Sequence, residues 1–429
     1  MKRHIFALLI LACFATSADA QTPAPAPTPA PLTAIRAGRL VDPDTGRESR
    51  NQIILIEGRR IKAVGENVPI PSGARVIDLS GSTVMPGLFD AHTHLCMVVD
   101  LQRDAGNYFY TTLNDPDSFR AVQGVANARA MLEAGFTTVR DVGNEGNYAC
   151  VSVAQGVERG MIQGPTMLTA GRIIAPYGGQ FHLQPEKRGL GEPEYFYADS
   201  RDELRKAVRE NAHFGAQVIK IVVDDQRYIY SAEDIRFVVE EAKRAGLKVA
   251  AHCWTREGAH NAAEGGVASI EHGNHISDED LQLAKRNGVT MVFTPFPEWI
   301  LKLFRPSPEA AASEYRDEID RLRAGHRAGL TIAFGTDTID AIPHYTRGSQ
   351  AITWIDSYVA AGLAPRDILK AMTTNAARLL GVETTQGSIR PGMYADIIAT
   401  QGNPLEDINA LKQVSFVMKY GAVVKDEKR

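Results

Sequence analysis

Two imidazoles, His92 and His94, stand one residue apart at the end of the apolar run Gly87-Leu88-Phe89-Asp90-Ala91. Successive side chains of a strand point to opposite faces, so the two rings share a face. That pair is half of a metal site. Four further polar residues interrupt or end apolar runs in the same way. Lys220 lies between Ile219 and Ile221, His252 ends Lys248-Val249-Ala250-Ala251, His272 ends Ser269-Ile270-Glu271, and Asp337 follows Gly335-Thr336. A strand buried on both faces excludes charge unless a partner or an ion compensates it. Each residue alone has an ordinary explanation: a strand-end hydrogen bond, a lysine snorkelling outward, a carboxylate capping the next segment. At one end of one fold, the set reads as a metal centre.

The elements that must position these residues follow from the pattern of the chain. From Gly87 to about Asp337, eight short apolar runs alternate with amphipathic stretches such as Ser118–Ala134, Arg201–Phe214, Glu233–Ala245 and Ala310–Ala328. Alternating units of this kind predict an α/β fold, a parallel (β/α)8 TIM barrel, with its active site at the carboxyl ends of the strands. The candidate ligands fall on the first, fourth, fifth, sixth and eighth runs. Before and after this middle the texture is short and β-rich, as in Gln52–Ile56, Arg75–Leu79, Ala395–Ala399 and Val414–Met418. We expect a small β-sandwich built from both termini, residues 33–85 and 382–429, flanking a barrel over residues 86–381.

The order His-x-His, Lys, His, His, Asp on those strands resembles the binuclear metal-dependent amidohydrolase superfamily, as do Gly392-Met393-Tyr394-Ala395-Asp396 and Asn403-Pro404-Leu405 near the end. The texture is most similar to the branch of Xaa-Pro dipeptidases, C-terminal Arg/Lys carboxypeptidases and ochratoxin-hydrolysing amidohydrolases, related to imidazolonepropionases. The resemblance implies two divalent ions, with Zn2+ suited to nitrogen and oxygen ligands. His92, His94 and Asp337 would hold the inner ion, and His252 and His272 the outer one. Lys220 would be an N6-carboxylysine bridging both. It further implies a secreted hydrolase of the amide before a C-terminal amino acid, acting on dipeptides, N-acyl amino acids or ochratoxin-type amides. An activated water would attack, with Asp337 as general base and then acid. Two alternatives stay open: cyclic amides, lactones or organophosphate-like esters as substrates of the same site, and a non-catalytic secreted binding protein with a relic site.

Such a substrate carries a carboxylate that must be held. Tyr230, His344 and His182 are the expected contacts, His182 also polarising the carbonyl as a second catalytic residue; Arg347 is a further chemical match. Other charges read as structural. Arg140-Asp141 should form a buried network, Glu271 should alternate toward the helices, and Glu314–Arg323 should be a solvated helix face.

Lys and Arg number 47 against 51 Asp and Glu, a net charge of −4 without a large block of one sign, which argues against a nucleic-acid partner. The basic start Met1–His4, the apolar run Ile5–Ala15 and Ala18-Asp19-Ala20 read as a signal peptide over residues 1–20, too short to remain as a membrane span. A secreted or periplasmic location follows, with lipid anchoring at Cys13 as the alternative. Residues 21–32 form an Ala/Pro-rich linker. Beyond it lie Cys96, Cys150 and Cys253, an odd number that predicts no paired framework, with Cys253 a buried thiol. The partner expected is a small molecule, and barrels of this size favour symmetric homo-oligomers.

Overall fold

The computed structural model describes residues 31–143 and 146–427. The expected signal peptide and most of the linker lie outside the described residues, as do the last two residues of the expected terminal β domain. Among the described residues, no helix is long and apolar enough to cross a membrane.

The amphipathic stretches fold where their periodicity places them. Helices run over Asp117–Glu133, Arg201–His213, Ala232–Arg244 and Pro308–Arg327. Several helices start on a hydroxyl. Ser200, Ser231, Thr255, Ser277 and Ser307 each accept a backbone N–H from the first turn. A hydroxyl in this place satisfies a donor that the helix itself leaves free.

The main parallel strands of the middle segment form two ladders, beside the short pair of Val99–Asp100 with Asp340–Ala341. One holds Leu88–Thr93, Phe136–Asp141 and Thr166–Thr169. The other holds, in order, Tyr195–Tyr197, Ile173–Ala175, Ile219–Val222, Val249–Cys253, Ser269–His272 and Thr290–Val292. A few backbone hydrogen bonds span the gaps. Gln217 donates to the carbonyl of Thr169 at 2.8 Å. The eighth run, Thr331–Phe334, forms only a bridge from Ile332 to Met291, and Phe334 accepts from Ala91 at 2.8 Å. The α/β expectation holds, whereas among the described residues no continuous eight-strand ladder is closed. The eighth run departs from strand geometry because it is drawn into the mouth. Gly335 sits where a Cβ would lie 2.4 Å from Val292 and 2.8 Å from the Cβ of His92, and Asp337 turns with φ +56°.

The terminal segments join as one seven-stranded mixed sheet. Its order is Ala422–Asp426, Val414–Lys419, Ile397–Thr400, Arg75–Pro86, Leu32–Asp42, Arg47–Glu57 and Arg60–Gly65. The expected sandwich is therefore not confirmed. Ile397–Thr400 pairs antiparallel with Thr83–Pro86, so the two termini meet strand to strand within a single ladder. Its alternating residues, among them Ile35, Ile54, Ile77, Ile397 and Phe416, form their own apolar cluster. The Arg75–Pro86 strand leads through Gly87 directly into Leu88–Thr93, which couples this sheet to the strand bearing His92.

One covalent tie was not foreseen. Cys96 and Cys150 form a disulfide, while Cys253 is a buried free thiol. The parity argument failed because an odd count leaves one cysteine over and says nothing against a pair among the rest. The bridge joins the loop after His94 to the helix Ala149–Glu158. It closes a 54-residue separation, for which chain entropy gives about 4 kcal/mol of stabilisation. Reduction, or Cys150→Ala, should lower the unfolding free energy by an amount approaching this value, read as a lower denaturant midpoint. Equal midpoints with and without reductant would contradict a stabilising bridge.

Candidate metal centre

The carboxyl ends of the strands bring His92, His94, Lys220, His252, His272 and Asp337 to the wall of one cavity of about 250 Å3. Asp337 lies between the imidazoles. Its Oδ1 is 3.0 Å from His94 Nε2 and 3.5 Å from His92 Nε2, and its Oδ2 is 3.8 Å from His272 Nδ1. His92, His94 and Asp337 offer three ligand atoms within 4.8 Å of one another. Burial would raise the Asp337 carboxyl, but His92 and His94 overcome it and hold the group down at about 2.

The outer nitrogens of the rings are already spoken for. His92 Nδ1 is 2.6 Å from Glu271 Oε2, His94 Nδ1 is 2.8 Å from the carbonyl of Gly143, and His272 Nδ1 is 2.7 Å from Thr294 Oγ1. For His92 and His94, a partner on Nδ1 leaves Nε2 facing the cavity as the free ligand atom, the usual arrangement of metal-binding imidazoles. His252 Nε2 is sealed from solvent and faces the carboxylates of Asp225 at 2.8 Å and Asp224 at 4.0 Å. Lys220 is 3 % exposed, and burial pushes its amine down to about 8. Imidazoles with oriented outer nitrogens, carboxylates and a readily deprotonated lysine fit a binuclear divalent centre.

Glu271 acts differently from the expectation, whereas Arg140 and Asp141 form the buried network expected of them. Glu271 faces the interior of the strand ring, where its two oxygens meet His92 and Arg140 (2.8 Å). Simple alternation fails here because His272 adopts φ +60°, which turns its ring inward as well. Arg140 also donates to Ser269 Oγ at 2.9 Å, while Asp141 accepts from the backbone of Leu95 at 2.5 Å. Asp90 accepts from Thr336 Oγ1 at 2.7 Å and from the backbone of His92 at 3.1 Å, tying the first strand to the eighth run.

The expected substrate contacts do not line the cavity. Tyr230 is 2 % exposed, packs in the main apolar core, and donates its hydroxyl to the carbonyl of Ala198 at 2.6 Å. His182 is exposed, because Phe181 turns inward against Tyr108, Phe109 and Tyr195. His344 is exposed at φ +70°, next to Tyr345, which stacks on Trp299. Arg347 is buried and donates to the carbonyls of Thr338, Met97 (2.8 Å) and Ile339 (3.2 Å), so it clamps the loops after the first strand and eighth run together.

The cavity is lined instead by Tyr108, Gln180, Trp254, Asn274, Phe296 and Arg321, among others. Gln180 takes the place expected of His182. It donates to Asp225 at 2.8 Å and accepts from Tyr195 at 2.9 Å, setting the carboxylate that faces His252. Its signal was legible only in hindsight: it lies in the same Gly-Gly loop, two residues before His182. The Glu314–Arg323 run is not wholly a solvated face. Glu318 is 6 % exposed and, like Arg321, lines the cavity.

A family model described as the amidohydrolase family matches residues 83–424. The ochratoxinase of Aspergillus niger is 31% identical over 440 residues, covering 92% of this chain and 87% of that protein. Its crystal structure superposes with a TM-score of 0.78 at 27% identity, over 93% of this chain and 96% of that one. The crystal structure of a Xaa-Pro dipeptidase with methionine bound in its active site gives a TM-score of 0.81 at 29% identity, over 92% of this chain and 100% of that one. The chain belongs to the amidohydrolase family, as a metal-dependent hydrolase of carbon–nitrogen bonds.

Proposed function

We propose that this protein hydrolyses the amide before a C-terminal amino acid, in dipeptides or N-acyl amino acids. The observation that carries the reading is Asp337 poised between His94, His92 and His272 at the floor of a cavity suited to a small amide. The relatives named above, an ochratoxinase and a Xaa-Pro dipeptidase, support the same substrate class.

His92, His94 and Asp337 would hold one ion, and His252 and His272 the other, with zinc the best match to the donor set. Bound divalent ions supply an activated water and polarise the scissile carbonyl. Asp337 stays ionised because His92 and His94 hold its carboxyl near 2. It accepts the proton released as the water oxygen bonds to the carbonyl carbon. It then hands that proton to the nitrogen as the carbon–nitrogen bond breaks, which yields a carboxylate product and a free amino acid.

Lys220 serves in its carboxylated form. The neutral Nζ bonds to the carbon of carbon dioxide and releases a proton, leaving an anionic carbamate in place of a cation. A bare ammonium beside the ligand set would repel metal ions, whereas the carbamate offers two oxygens to them.

Export from the cytoplasm completes the reading. The basic-apolar start with a cleavage point after Ala20 supports it, and so does the Cys96–Cys150 disulfide, a bond suited to oxidising compartments.

The zinc-loaded protein should release free amino acids from a panel of dipeptides and N-acyl amino acids, read by mass spectrometry, in preference to lactones or phosphate esters. Asp337→Asn should keep metal yet lose about 10²- to 10⁴-fold in kcat; near-normal turnover removes the proton role. Because the Lys220 amine is protonated below about 8 and free above it, uptake of 13C-bicarbonate by the chelator-stripped protein should rise as pH passes upward through 8. A carbamate carbon signal absent at every pH, or insensitive to Lys220→Ala, would exclude carboxylation at this residue.

A further inference from the structure

The cavity has a second polar end on the helix Pro308–Arg327. Arg305, Glu314, Glu318 and Arg321 gather there, on the same wall system as the histidines. Arg305 and Glu314 satisfy each other through a two-pronged ion pair. Glu318 Oε2 accepts from the backbone of Phe296 at 2.6 Å. Arg321 is left over. Its Nε is sealed from solvent without a hydrogen-bond partner, and no carboxylate lies within ion-pair distance of its guanidinium among the described residues.

A half-buried cation with no carboxylate in contact is costly, and guanidinium does not relieve the cost by losing its proton. Burial opposes its charge more than the carboxylates of Glu318, Asp317 and Glu314 favour it, and none of the three reaches ion-pair distance. Glu318 is itself pushed up to about 8 by burial, so near neutral pH it is largely protonated and neither neutralises Arg321 nor repels an incoming anion. A planar fork of donors aimed into a cavity that also holds a hydrolytic centre suits a carboxylate, which it binds through two parallel hydrogen bonds.

We infer that Arg321 is a specificity-determining residue that binds the free carboxylate of the amino acid released from the substrate. This inference rests on the proposed cleavage before a C-terminal amino acid. It places the carboxylate contact on the segment after the seventh strand, away from Tyr230, His182, His344 and Arg347. Phe296 and Ile339 line the same cavity and give the amino-acid side chain apolar surface.

The test compares N-acetyl amino acids with their C-terminal carboxamides, supplied as two mixtures spanning the common side chains, on the zinc-loaded protein. Binding of L-methionine and L-methioninamide is measured by calorimetry in parallel. Wild type should prefer free acids and bind L-methionine over its amide. Arg321→Met should weaken free-acid substrates and L-methionine about 10- to 100-fold, chiefly in KM, and leave the carboxamides unchanged. Arg321→Lys should restore part of the preference, and metal content equal to wild type shows that both variants are folded. A wild-type preference that survives in Arg321→Met overturns the role of Arg321 alone. Wild type that does not discriminate between acid and carboxamide overturns this inference together with the reading beneath it.

Discussion

A carboxylate sealed inside the ring of strands holds the centre together. Glu271, fully buried on the sixth strand, receives Arg140 from the second strand and faces His92 on the first. A buried ion pair adds little net stability over a well-packed apolar pair, but removing one partner strands the other charge at a cost of about 3–5 kcal/mol. The pair therefore locks a geometry. With Nδ1 committed to Glu271, the His92 ring has one orientation, and Nε2 looks toward Asp337.

The eighth run is fixed by the same logic from the other side. Asp90, two residues before His92, accepts from the backbone and hydroxyl of Thr336. The backbone of Asp337 in turn donates to the carbonyl of His92 at 2.9 Å. Arg347 then clamps the carbonyls that follow His94 and Asp337. These bonds bend the run away from strand geometry, and the left-handed backbone at Asp337 follows. Such strain persists only where surrounding contacts over-determine it. Incomplete ladder closure and a correctly placed carboxylate are thus two consequences of one constraint.

This explains what the sequence could and could not disclose. Helices with strong periodicity, such as Arg201–His213 and Ala232–Arg244, were legible to within a residue or two because their apolar stripes and hydroxyl caps are local signals. The six residues of the centre were legible because charge inside an apolar run is improbable on its own. Alternation mispredicted Glu271, since it assumes extended backbone and His272 leaves that region. Residues such as Gln180 and Trp254 project from irregular loops, whose course depends on tertiary contacts like the Phe181 aromatic cluster rather than on any period. The Cys96–Cys150 pairing spans elements that only the fold brings together.

The charges of the cavity divide along its length. At the floor, histidines and carboxylates meet Lys220, whose amine is lowered by burial. At the far end, Arg321 stands without a partner beside a Glu318 that burial keeps mostly neutral. An interior built for stability alone would pair these groups or replace them with apolar side chains. Paired groups do occur in the same cavity wall, as Arg305 with Glu314, so the chain has the means to satisfy charge there. Where it leaves a guanidinium without an ion pair, the cavity has room for a charge from outside the chain. On the proposed reading, divalent ions would meet the carboxylates and imidazoles at one end, and a substrate anion would meet the guanidinium at the other. A molecule spanning the two ends would then be held by its terminal charge with its reactive carbonyl over Asp337, so that one distribution of charge would set both orientation and chemistry.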